Sequence, residues 1–530
     1  MKNTLDNQQV IKSASKMSLA TLISRILGYV RDALLTAMLN PTAKDAFLVA
    51  FRLPNMFRRL LGEGSLSVSF IPVFVDHLSR PEDQVKAKNL SASIFTLLMI
   101  VSSILSVLGI LFMEQLLGEV LSGKGYQQIP GKMDMTVLLA RIMFFYLFLI
   151  TSYAYLMAIL NALKSFFIPA LAPALFNFVF ILALLTPAEW SDGLEQNVAW
   201  GVLIGGAVQV LVVSYALVKK GFFPGISFVF NSPSVKKVLF NMIPGMLGLG
   251  ILQLMSLFNI YFASRLHEGS HTYIYLADRI LELPQSLIAV SLGVALLPTL
   301  SEKWAQGKRL EMIEMGQSHL KLLLFLSLPS AVGMFVLAKP IVEVLFMRGE
   351  FSEVDVQQTL LVVQLYSFLL IASSVVKVIA PSFYAIKNTW VPALISALCL
   401  LLHVVVANQW TYYFGLQGLV GSTVLSGFVN AFLLYVFYQK FIGKLSLIQL
   451  IKDLWPLVIS ISFMAFTITK SYLLISNGLH ALISPSWARG LALGASMALG
   501  GTVYFYVCSL MRVKESQAII SLFKRKLKIK

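Results

Sequence analysis

Six arginines interrupt long apolar stretches of this sequence, namely Arg25, Arg31, Arg52, Arg58, Arg59 and Arg279. An arginine at the centre of a bilayer costs about 2.5–3.5 kcal/mol even on lenient insertion scales, so such residues face a protein interior or a water-filled cavity. The planar guanidinium forms paired hydrogen bonds with phosphate or carboxylate groups. These residue types therefore predict a cationic central cavity that binds an anionic substrate inside a membrane.

A polar stripe follows one face of the second predicted helix, within about 40° of a single line at 100° per residue. Its members are Asp45, Arg52, Arg59 and Glu63. Asn55 lies slightly to one side, and Arg58 lies about 120° from Arg52. A structural network of ion pairs between helices is the alternative interpretation. Because the positive charges outnumber the negative ones, the wall of a cavity is favoured.

The first and eighth predicted helices carry arginines with carboxylates beside them. Arg31 adjoins Asp32 on the first helix, while Thr272 and Arg279 share a face of the eighth helix, with Glu282 adjacent. Arg25 and Asp32 share a face of the first helix at a separation of seven residues. Carboxylates so near arginines can hold a guanidinium oriented in the empty protein, as Glu282 can for Arg279 three positions before it. They can also exchange partners when an anion arrives, which makes them candidates for gating.

The composition places these helices in a membrane. Hydrophobic residues make up 57% of the 530 residues and charged residues only 13%, whereas about a quarter of an ordinary soluble domain is charged. A membrane-spanning helix needs about 20 apolar residues. On that basis we predict an all-α polytopic membrane protein with about fourteen transmembrane helices. They lie near residues 17–39, 46–76, 90–112, 136–160, 166–187, 197–218, 238–264, 272–301, 319–346, 357–385, 390–408, 412–438, 451–475 and 488–511.

The net charge of +17 is distributed over alternate loops. Lysine and arginine accumulate in every second loop, and the intervening loops are poorer in them and often acidic. This is the positive-inside pattern, and it predicts that both termini lie in the cytoplasm. The basic tail then lies against anionic headgroups, so no nucleic-acid partner is expected.

Two segments of the chain resemble each other, residues 160–175 and 383–398. Lys164 and Lys387 occupy the same position in the two copies, five residues before a shared proline. Chance similarity between apolar helices is the alternative. A true repeat with one orientation predicts two parallel six-helix lobes, which in transporters rock around a central site to give alternating access. The predicted division is an N-lobe at 1–222, a C-lobe at 223–445, two extra helices at 446–511 and a basic cytoplasmic tail at 512–530.

The pentapeptide His267–His271 matches the HExxH pattern of zinc hydrolases. That chemistry requires both imidazoles on one face of a regular helix together with a third ligand. Here the pattern has Gly269 and Ser270 at its centre and falls in a predicted short loop, without an obvious third ligand. We interpret these residues as polar loop residues and predict neither a metal site nor an enzyme.

Three motifs carry a resemblance to a known family: ISRILGYVRDALLTAML at 23–39, DAFLVAFRLPNMFRRLLGEGSLSVSFIPVF at 45–74 and YLADRILELPQSLIAVSLGVALLPTLS at 275–301. They resemble the MurJ/MviN family, within the multidrug/oligosaccharidyl-lipid/polysaccharide exporter superfamily. The resemblance implies two six-helix lobes plus two helices that form a groove for a lipid tail. It also implies a function in peptidoglycan and cell wall biogenesis, which supports cell shape. The family flips lipid II, undecaprenyl-diphosphate-MurNAc-pentapeptide-GlcNAc, from the inner to the outer leaflet of the bacterial cytoplasmic (inner) membrane.

The family's essential arginines match Arg25, Arg31, Arg58 and Arg279, whereas the helical geometry favours Arg52 and Arg59 over Arg58. Both sets are kept. The predicted substrate-binding residues are Arg25, Arg31, Arg52, Asn55, Arg58, Arg59 and Arg279. The residues predicted for gating or conformational coupling are Asp32, Asp45, Glu63, Thr272 and Glu282.

The expected partners are lipid II, membrane phospholipids and cell-wall synthesis proteins, and no cofactor is expected. Some family members resemble sodium-coupled carriers with acidic ligands in helices 7 and 11, but no carboxylate occurs here between Trp390 and Asn408. Coupling to the membrane potential or to a monovalent cation is left open. The alternative functions are a flippase for another undecaprenyl-linked oligosaccharide, such as O-antigen, and a multidrug exporter of the same superfamily.

Overall fold

The computed structural model describes residues 2–61, 65–480 and 482–517, and regular structure within these ranges is helical, without a strand. The α-helices are α1 Lys2–Met38, α2 Pro41–Leu61, α3 Ser65–Leu78, α4 Gln84–Leu111, α5 Met113–Val120, α6 Lys124–Gln127, α7 Lys132–Phe144, α8 Tyr146–Ala162, α9 Phe167–Leu184, α10 Leu194–Lys219, α11 Pro233–Ala263, α12 Ser270–Ala305, α13 Arg309–Val336, α14 Ala338–Phe346, α15 Glu353–Ala385, α16 Trp390–Phe441, α17 Leu447–His480 and α18 Pro485–Leu510. Every predicted transmembrane segment coincides with one or two of these helices. The predicted all-α polytopic fold is thereby confirmed.

Within the described part of the chain, nine helical stretches are long and apolar enough to cross a membrane. One of them, α16, has 52 residues and contains Gly415 at φ 57° and ψ −133°. A glycine tolerates this backbone conformation, which other residues avoid, so α16 bends there. The two halves of α16 correspond to the predicted helices at 390–408 and 412–438.

The first compact unit comprises the chain up to Thr272 together with Arg348–Phe351. In this unit α9 packs against α1 and α10, and α2 packs against α7. Aromatic residues fill the side of α2 that is turned away from its polar stripe. Phe47 packs edge-on against Phe180, with ring centroids 5.6 Å apart. Burial of this aromatic side fixes the rotation of α2, and therefore the direction of its charged residues.

The second compact unit comprises Tyr273–Met347 and the described chain from Ser352 onward. Here α15 packs between α13 and α16, while α17 and α18 pack against each other and α17 also packs against α13. Tyr504 on α18 donates a hydrogen bond to the carbonyl oxygen of Phe325 on α13 at 2.7 Å. The two C-terminal helices are therefore attached to the second unit through α13.

The packing units divide after Thr272, whereas the predicted lobes divide after residue 222. The reason is that α11 packs against α2 and α3 of the first unit. His77 of α3, for example, lies 2.9 Å from the hydroxyl of Ser234 in α11. The compact units are defined by which helices pack together, whereas the predicted lobes are defined by the sequence repeat. The units therefore do not test the boundaries 1–222, 223–445, 446–511 and 512–530, which stay predictions.

The two copies of the sequence repeat share an unusual turn. Lys164 has φ 58° and Lys387 has φ 60°, a left-handed conformation that costs a non-glycine residue about 1–2 kcal/mol. In both copies the amide of the following residue donates a hydrogen bond of 2.9 Å to the carbonyl four residues before the lysine. The recurrence of the same strained backbone at matched positions supports the internal repeat.

The segment Arg348–Phe351 is fastened to the first unit through α1 and α2. The amide of Glu350 donates to the carbonyl of Ala37 at 2.9 Å. The ammonium of Lys44, a residue only 2% exposed, donates to the carbonyl of Glu350 at 3.1 Å. A lysine is almost never buried without such partners. This four-residue strap therefore completes the surroundings of a buried charge.

Candidate functional site

Arg31 lies buried on α1, held by groups from two helices. Its Nε and Nη2 donate to Oδ1 of Asp32 at 2.9 and 2.6 Å, and its Nη1 donates to Oδ1 of Asn177 on α9 at 3.0 Å. The guanidinium also lies 5.1 Å from the centroid of the Phe180 ring. Asn177 is itself oriented, because its amide nitrogen donates to the carbonyl of Ser24 at 3.0 Å. Arg31 is thus fixed in direction as well as in position.

Three further predicted arginines of the first unit lie on α2 with graded exposure. Arg52 is half-buried and donates from Nε to the hydroxyl of Ser256 on α11 at 2.9 Å. Arg58, also half-buried, donates from Nε to Oδ1 of Asn55 at 3.2 Å. Arg59 is exposed. The structure therefore joins Arg58 to Asn55 on one turn of α2.

Asp45 is buried at the start of α2 and accepts hydrogen bonds from four donors. Lys132 of α7 donates at 2.9 Å and the amide of Gly269 at 2.8 Å. Thr272 donates through its amide at 3.1 Å and its hydroxyl at 2.6 Å. Asp45 and Thr272 were predicted on two separate stripes, but they form one buried cluster. Because desolvation must be offset by hydrogen bonds, this carboxylate anchors the start of α12 to α2 and α7.

The HExxH pentapeptide contributes to the same cluster. Thr42 donates to Glu268 at 2.6 Å, and the ring of His271 packs edge-on against Tyr126 with centroids 5.4 Å apart. His267 precedes α12 and His271 lies in its first turn, so the two imidazoles do not share one regular helix as a zinc pair would. The pattern was predicted to consist of polar loop residues: residues 267–269 do lie between α11 and α12, whereas His271 lies in the first turn of α12 and, like Glu268, packs into the first unit.

Arg279 and Glu282 form an ion pair on α12 in the second unit. The Nη1 of Arg279 donates to Oε2 of Glu282 at 3.0 Å, and both side chains are partly exposed. Arg25 is half-buried on α1, six residues before Arg31. Glu63 lies outside the described residues, so its predicted role stays a prediction.

Three contacting residues escaped the sequence prediction, namely Lys132, Asn177 and Ser256. Asn177 had a recognisable signal, because it is the one polar residue in the apolar helix Phe167–Leu184. Lys132 had none, since it precedes the predicted segment 136–160 and its partner Asp45 is 87 residues away. Long-range partners of this kind are visible only when the helices are packed.

The arrangement holds guanidinium groups with acceptors on the same helix: Arg31 with Asp32, Arg58 with Asn55 and Arg279 with Glu282. Hydrogen bonds from a guanidinium to a phosphate are charge-assisted and stronger than those to a neutral acceptor. Such groups can therefore exchange a local acceptor for an arriving oxyanion. Neither a nucleophile nor a proton transfer is needed for this.

Comparison with known proteins identifies relatives along nearly the full length. A family model described as Lipid II flippase MurJ matches residues 36–476. A probable lipid II flippase MurJ from Bdellovibrio bacteriovorus is 40% identical, over 94% of this chain and 94% of that protein. One from Buchnera aphidicola is 31% identical over 98% and 100%. The lipid II flippase MurJ of Burkholderia cenocepacia is 32% identical over 79% and 82%.

Solved structures share the fold. The structure of a lipid II flippase MurJ in an inward closed conformation aligns with a TM-score of 0.73 at 22% identity, covering 96% of this chain and 99% of that one. An inward-facing multidrug resistance transporter of the MATE family aligns with a TM-score of 0.67 at 18% identity, covering 79% and 94%. The resemblance drawn from the three motifs is confirmed. Together, the family match and the 40% identity show that this chain belongs to the MurJ family of multi-pass bacterial membrane proteins.

Proposed function

We propose that this chain flips lipid II, the lipid-linked peptidoglycan precursor, from the inner to the outer leaflet of the bacterial cytoplasmic membrane. Family membership supports this function, since relatives that align over most of both chains are named lipid II flippases. The activity is transport, with no covalent step. Lipid II and the surrounding phospholipids are the partners that the proposal requires, and cell-wall synthesis proteins are further candidates.

The observation that carries the proposal is that three of the predicted arginines have a hydrogen-bond acceptor on their own helix. Arg31, Arg58 and Arg279 each donate to an acceptor one to three residues away on their own helix. Each guanidinium therefore has an acceptor that moves with its own helix, and Arg31 has a second acceptor, Asn177, on α9. A preorganised guanidinium loses little conformational entropy when it binds a phosphate.

The proposed cycle is alternating access. The diphosphate of lipid II cannot cross hydrocarbon unaided, because burial of an unpaired charge is prohibitive. Arg25, Arg31, Arg58 and Arg279, with Arg52, Asn55 and Arg59, replace its hydration with charge-assisted hydrogen bonds. The lobes 1–222 and 223–445 rock around the head group, while the helices within 446–511 hold the lipid tail. Asp32, Asp45, Glu63, Thr272 and Glu282 couple binding to this motion.

Membrane potential or a monovalent cation supplies the energy in this proposal. With both termini in the cytoplasm and a membrane that is negative inside, a net negative head group moves outward down the electrical gradient. Each elementary charge that crosses gains about 2.3 kcal/mol per 100 mV. Outward movement of an anionic lipid is therefore favoured without a bound cofactor.

The test is lipid II accessibility at the outer face of cells depleted of their own flippase and supplied with this chain. A probe that cleaves lipid II from outside reports the translocated fraction. The unaltered chain should restore the signal, and Arg279→Ala should abolish it while inserting normally, because loss of a partly exposed charge does not prevent folding.

Arg141→Ala is the matched control. Arg141 also pairs with a carboxylate, Glu114, at 3.5 Å with both side chains exposed, but it lies outside the predicted site. It should leave the signal intact. Normal transport by Arg279→Ala would remove Arg279 from the mechanism. If the well-inserted unaltered chain restored nothing, lipid II would be the wrong substrate and another undecaprenyl-linked oligosaccharide would be tested next.

A further inference from the structure

Residues 221–232, which connect α10 to α11, present large apolar side chains outward. Ile226 is 78% exposed, Phe228 is 70% exposed and Val229 is 62% exposed. Removal of apolar surface from water contributes about 25 cal/mol for each Å². A contiguous exposed apolar strip of this kind marks an interaction surface.

Residues 221–232 pack against α4. The amide of Ser227 donates to the hydroxyl of Thr96 at 3.0 Å, and the hydroxyls of Ser227 and Ser93 lie 3.0 Å apart. Phe223 packs edge-on against Phe95, with centroids 6.2 Å apart. The outward direction of the apolar strip is therefore fixed by the packing of its other side.

The contacts with α4 give the depth of the strip. Ser93 and Thr96 lie nine and twelve residues after the start of α4 at Gln84, or about 14–18 Å along the helix axis. Both fall inside the predicted membrane segment 90–112. On that predicted span, the contacts place the strip level with the edge of the hydrocarbon. An extended backbone there must keep access to water or to headgroups, because its polar groups are not all bonded within the segment.

Lysines flank the strip at both of its ends, at Lys219, Lys220, Lys236 and Lys237. All four are exposed, and within the described ranges none forms an ion pair with a carboxylate. Two of the three acids from Asp76 to Asp83 around the α3–α4 turn already have cationic partners; the turn follows His77, which lies beside Ser234 near the start of α11. Asp76 lies 2.9 Å from Arg80, and Asp83 lies 2.7 Å from Lys86. Four cationic groups are thus left around an apolar strip at the membrane boundary.

We propose that residues 219–237 form a binding site for the headgroups of anionic phospholipids. The apolar side chains enter the acyl boundary, and the four ammonium groups bind phosphate oxygens of the headgroups above it. A lysine near an anionic membrane surface strengthens binding by about fivefold. The combination of an apolar side and flanking lysines is typical of interfacial segments. This site is separate from the proposed transport site and does not depend on it.

The test uses the full chain reconstituted in nanodiscs with equal amounts of phosphatidylglycerol and phosphatidylcholine. Lipids that remain bound after mild detergent extraction are counted by native mass spectrometry. The unaltered chain should retain phosphatidylglycerol preferentially. The quadruple variant Lys219→Gln, Lys220→Gln, Lys236→Gln and Lys237→Gln should lose that preference by about fivefold or more. In case the quadruple variant does not fold, two double variants are tested as well, Lys219→Gln with Lys220→Gln and Lys236→Gln with Lys237→Gln. Each double variant should lose part of the preference for phosphatidylglycerol.

The matched control removes the same charge elsewhere, with glutamine at Lys440, Lys444, Lys452 and Lys470. These lysines are also exposed, and their replacement should leave the preference unchanged. Equal loss in both quadruple variants would mean that net charge, not this site, selects the lipid. Retention of the preference by the first variant would overturn the proposal.

A second measurement checks the depth of the strip. Both native cysteines, Cys399 and Cys508, are buried, so an introduced cysteine can be labelled selectively. In nanodiscs, Ile226→Cys should react with a water-soluble maleimide more slowly than Lys308→Cys, which lies in an exposed turn. Equal labelling rates at the two cysteines would show that the strip faces water and would overturn the proposal.

Discussion

Two arginine–carboxylate pairs occupy contrasting surroundings in this molecule. Arg31 and Asp32 in the first unit are 2.6 Å apart, with side chains 8% and 1% exposed. Arg279 and Glu282 in the second unit are 3.0 Å apart, with side chains 28% and 51% exposed. A buried pair cannot lose one partner without leaving an uncompensated charge, whereas an exposed pair separates at little cost. The same chemistry therefore contributes much more to stability at Arg31 than at Arg279, although both guanidinium groups are proposed phosphate ligands.

The neighbours explain the contrast. Arg31 is enclosed because α1 packs against α9, which brings Asn177 and Phe180 to the guanidinium. The Arg279–Glu282 pair joins residues three apart on α12, a spacing that stabilises a helix by only a few tenths of a kcal/mol. Stability measurements should consequently separate the two pairs, while transport measurements should not.

The largest effect is expected for Asp32→Ala, which leaves Arg31 buried without its carboxylate. The free energy of unfolding should fall by about 3–5 kcal/mol. Thermal unfolding followed by circular dichroism in detergent measures the change. A fall no greater than that of an exposed pair would mean that Asn177 and Phe180 alone can compensate the buried guanidinium.

The double variant Arg31→Met with Asp32→Leu removes the buried pair as a whole. Well-packed apolar replacements of buried ion pairs are often neutral in stability, so the loss should stay within about 2 kcal/mol, below that of Asp32→Ala. Transport should nevertheless be lost, because the proposed phosphate ligand is gone. Transport at the normal rate by this folded variant would limit Arg31 to a structural role.

Glu282→Ala tests the exposed pair. An exposed ion pair contributes at most about 1 kcal/mol, and solvent screening lowers this further, so the unfolding midpoint should barely move. Transport should slow by up to about fivefold, the factor that corresponds to that energy. A destabilisation equal to that of Asp32→Ala would erase the distinction between the two pairs. Glu302→Ala, at an exposed position near the end of the same helix, is the control.

The smallest effect concerns the repeated turn, which offers a matched position in each unit. Lys164→Gly and Lys387→Gly relieve a left-handed conformation, but they also increase the freedom of the unfolded chain. Each variant should gain about 0.5–1 kcal/mol of stability, equally in the two units. Unequal gains, measured by the same unfolding experiment, would show that the units differ in more than the burial of their arginine pairs.

The positions of the helices were predictable because apolar runs of spanning length are a property of the chain alone. The pairing of Arg279 with Glu282 was predictable because residues three positions apart are neighbours on a helix. The pairing of Arg31 with Asp32 was not, because adjacent residues do not face each other on a helix and spacing placed Asp32 on one face with Arg25. The burial of these pairs was not predictable. It depends on which face of α1 or α12 meets another helix, and composition does not determine that.

Asp45 shows most clearly that helical geometry within one helix does not determine the long-range contacts of a residue. Helical geometry aligned it with Arg52 and Arg59, yet the structure buries it with Lys132 and Thr272, which are 87 and 227 residues away. Arg52 in turn donates to Ser256, on a helix that the predicted lobe boundary assigned to the other lobe. One polar stripe can therefore serve two purposes along its length, as an anchor at its start and as candidate ligands further on.

The strap Arg348–Phe351 has a consequence for the order in which the protein is made. The first unit otherwise ends at Thr272, yet Lys44 donates to a carbonyl that the ribosome adds only at Glu350. During synthesis, more than seventy residues beyond Thr272 must be added before Lys44 can donate to the carbonyl of Glu350. Biogenesis of the first unit is thus completed by a segment from the second half of the chain, and a nascent chain arrested before Glu350 would keep Lys44 without it.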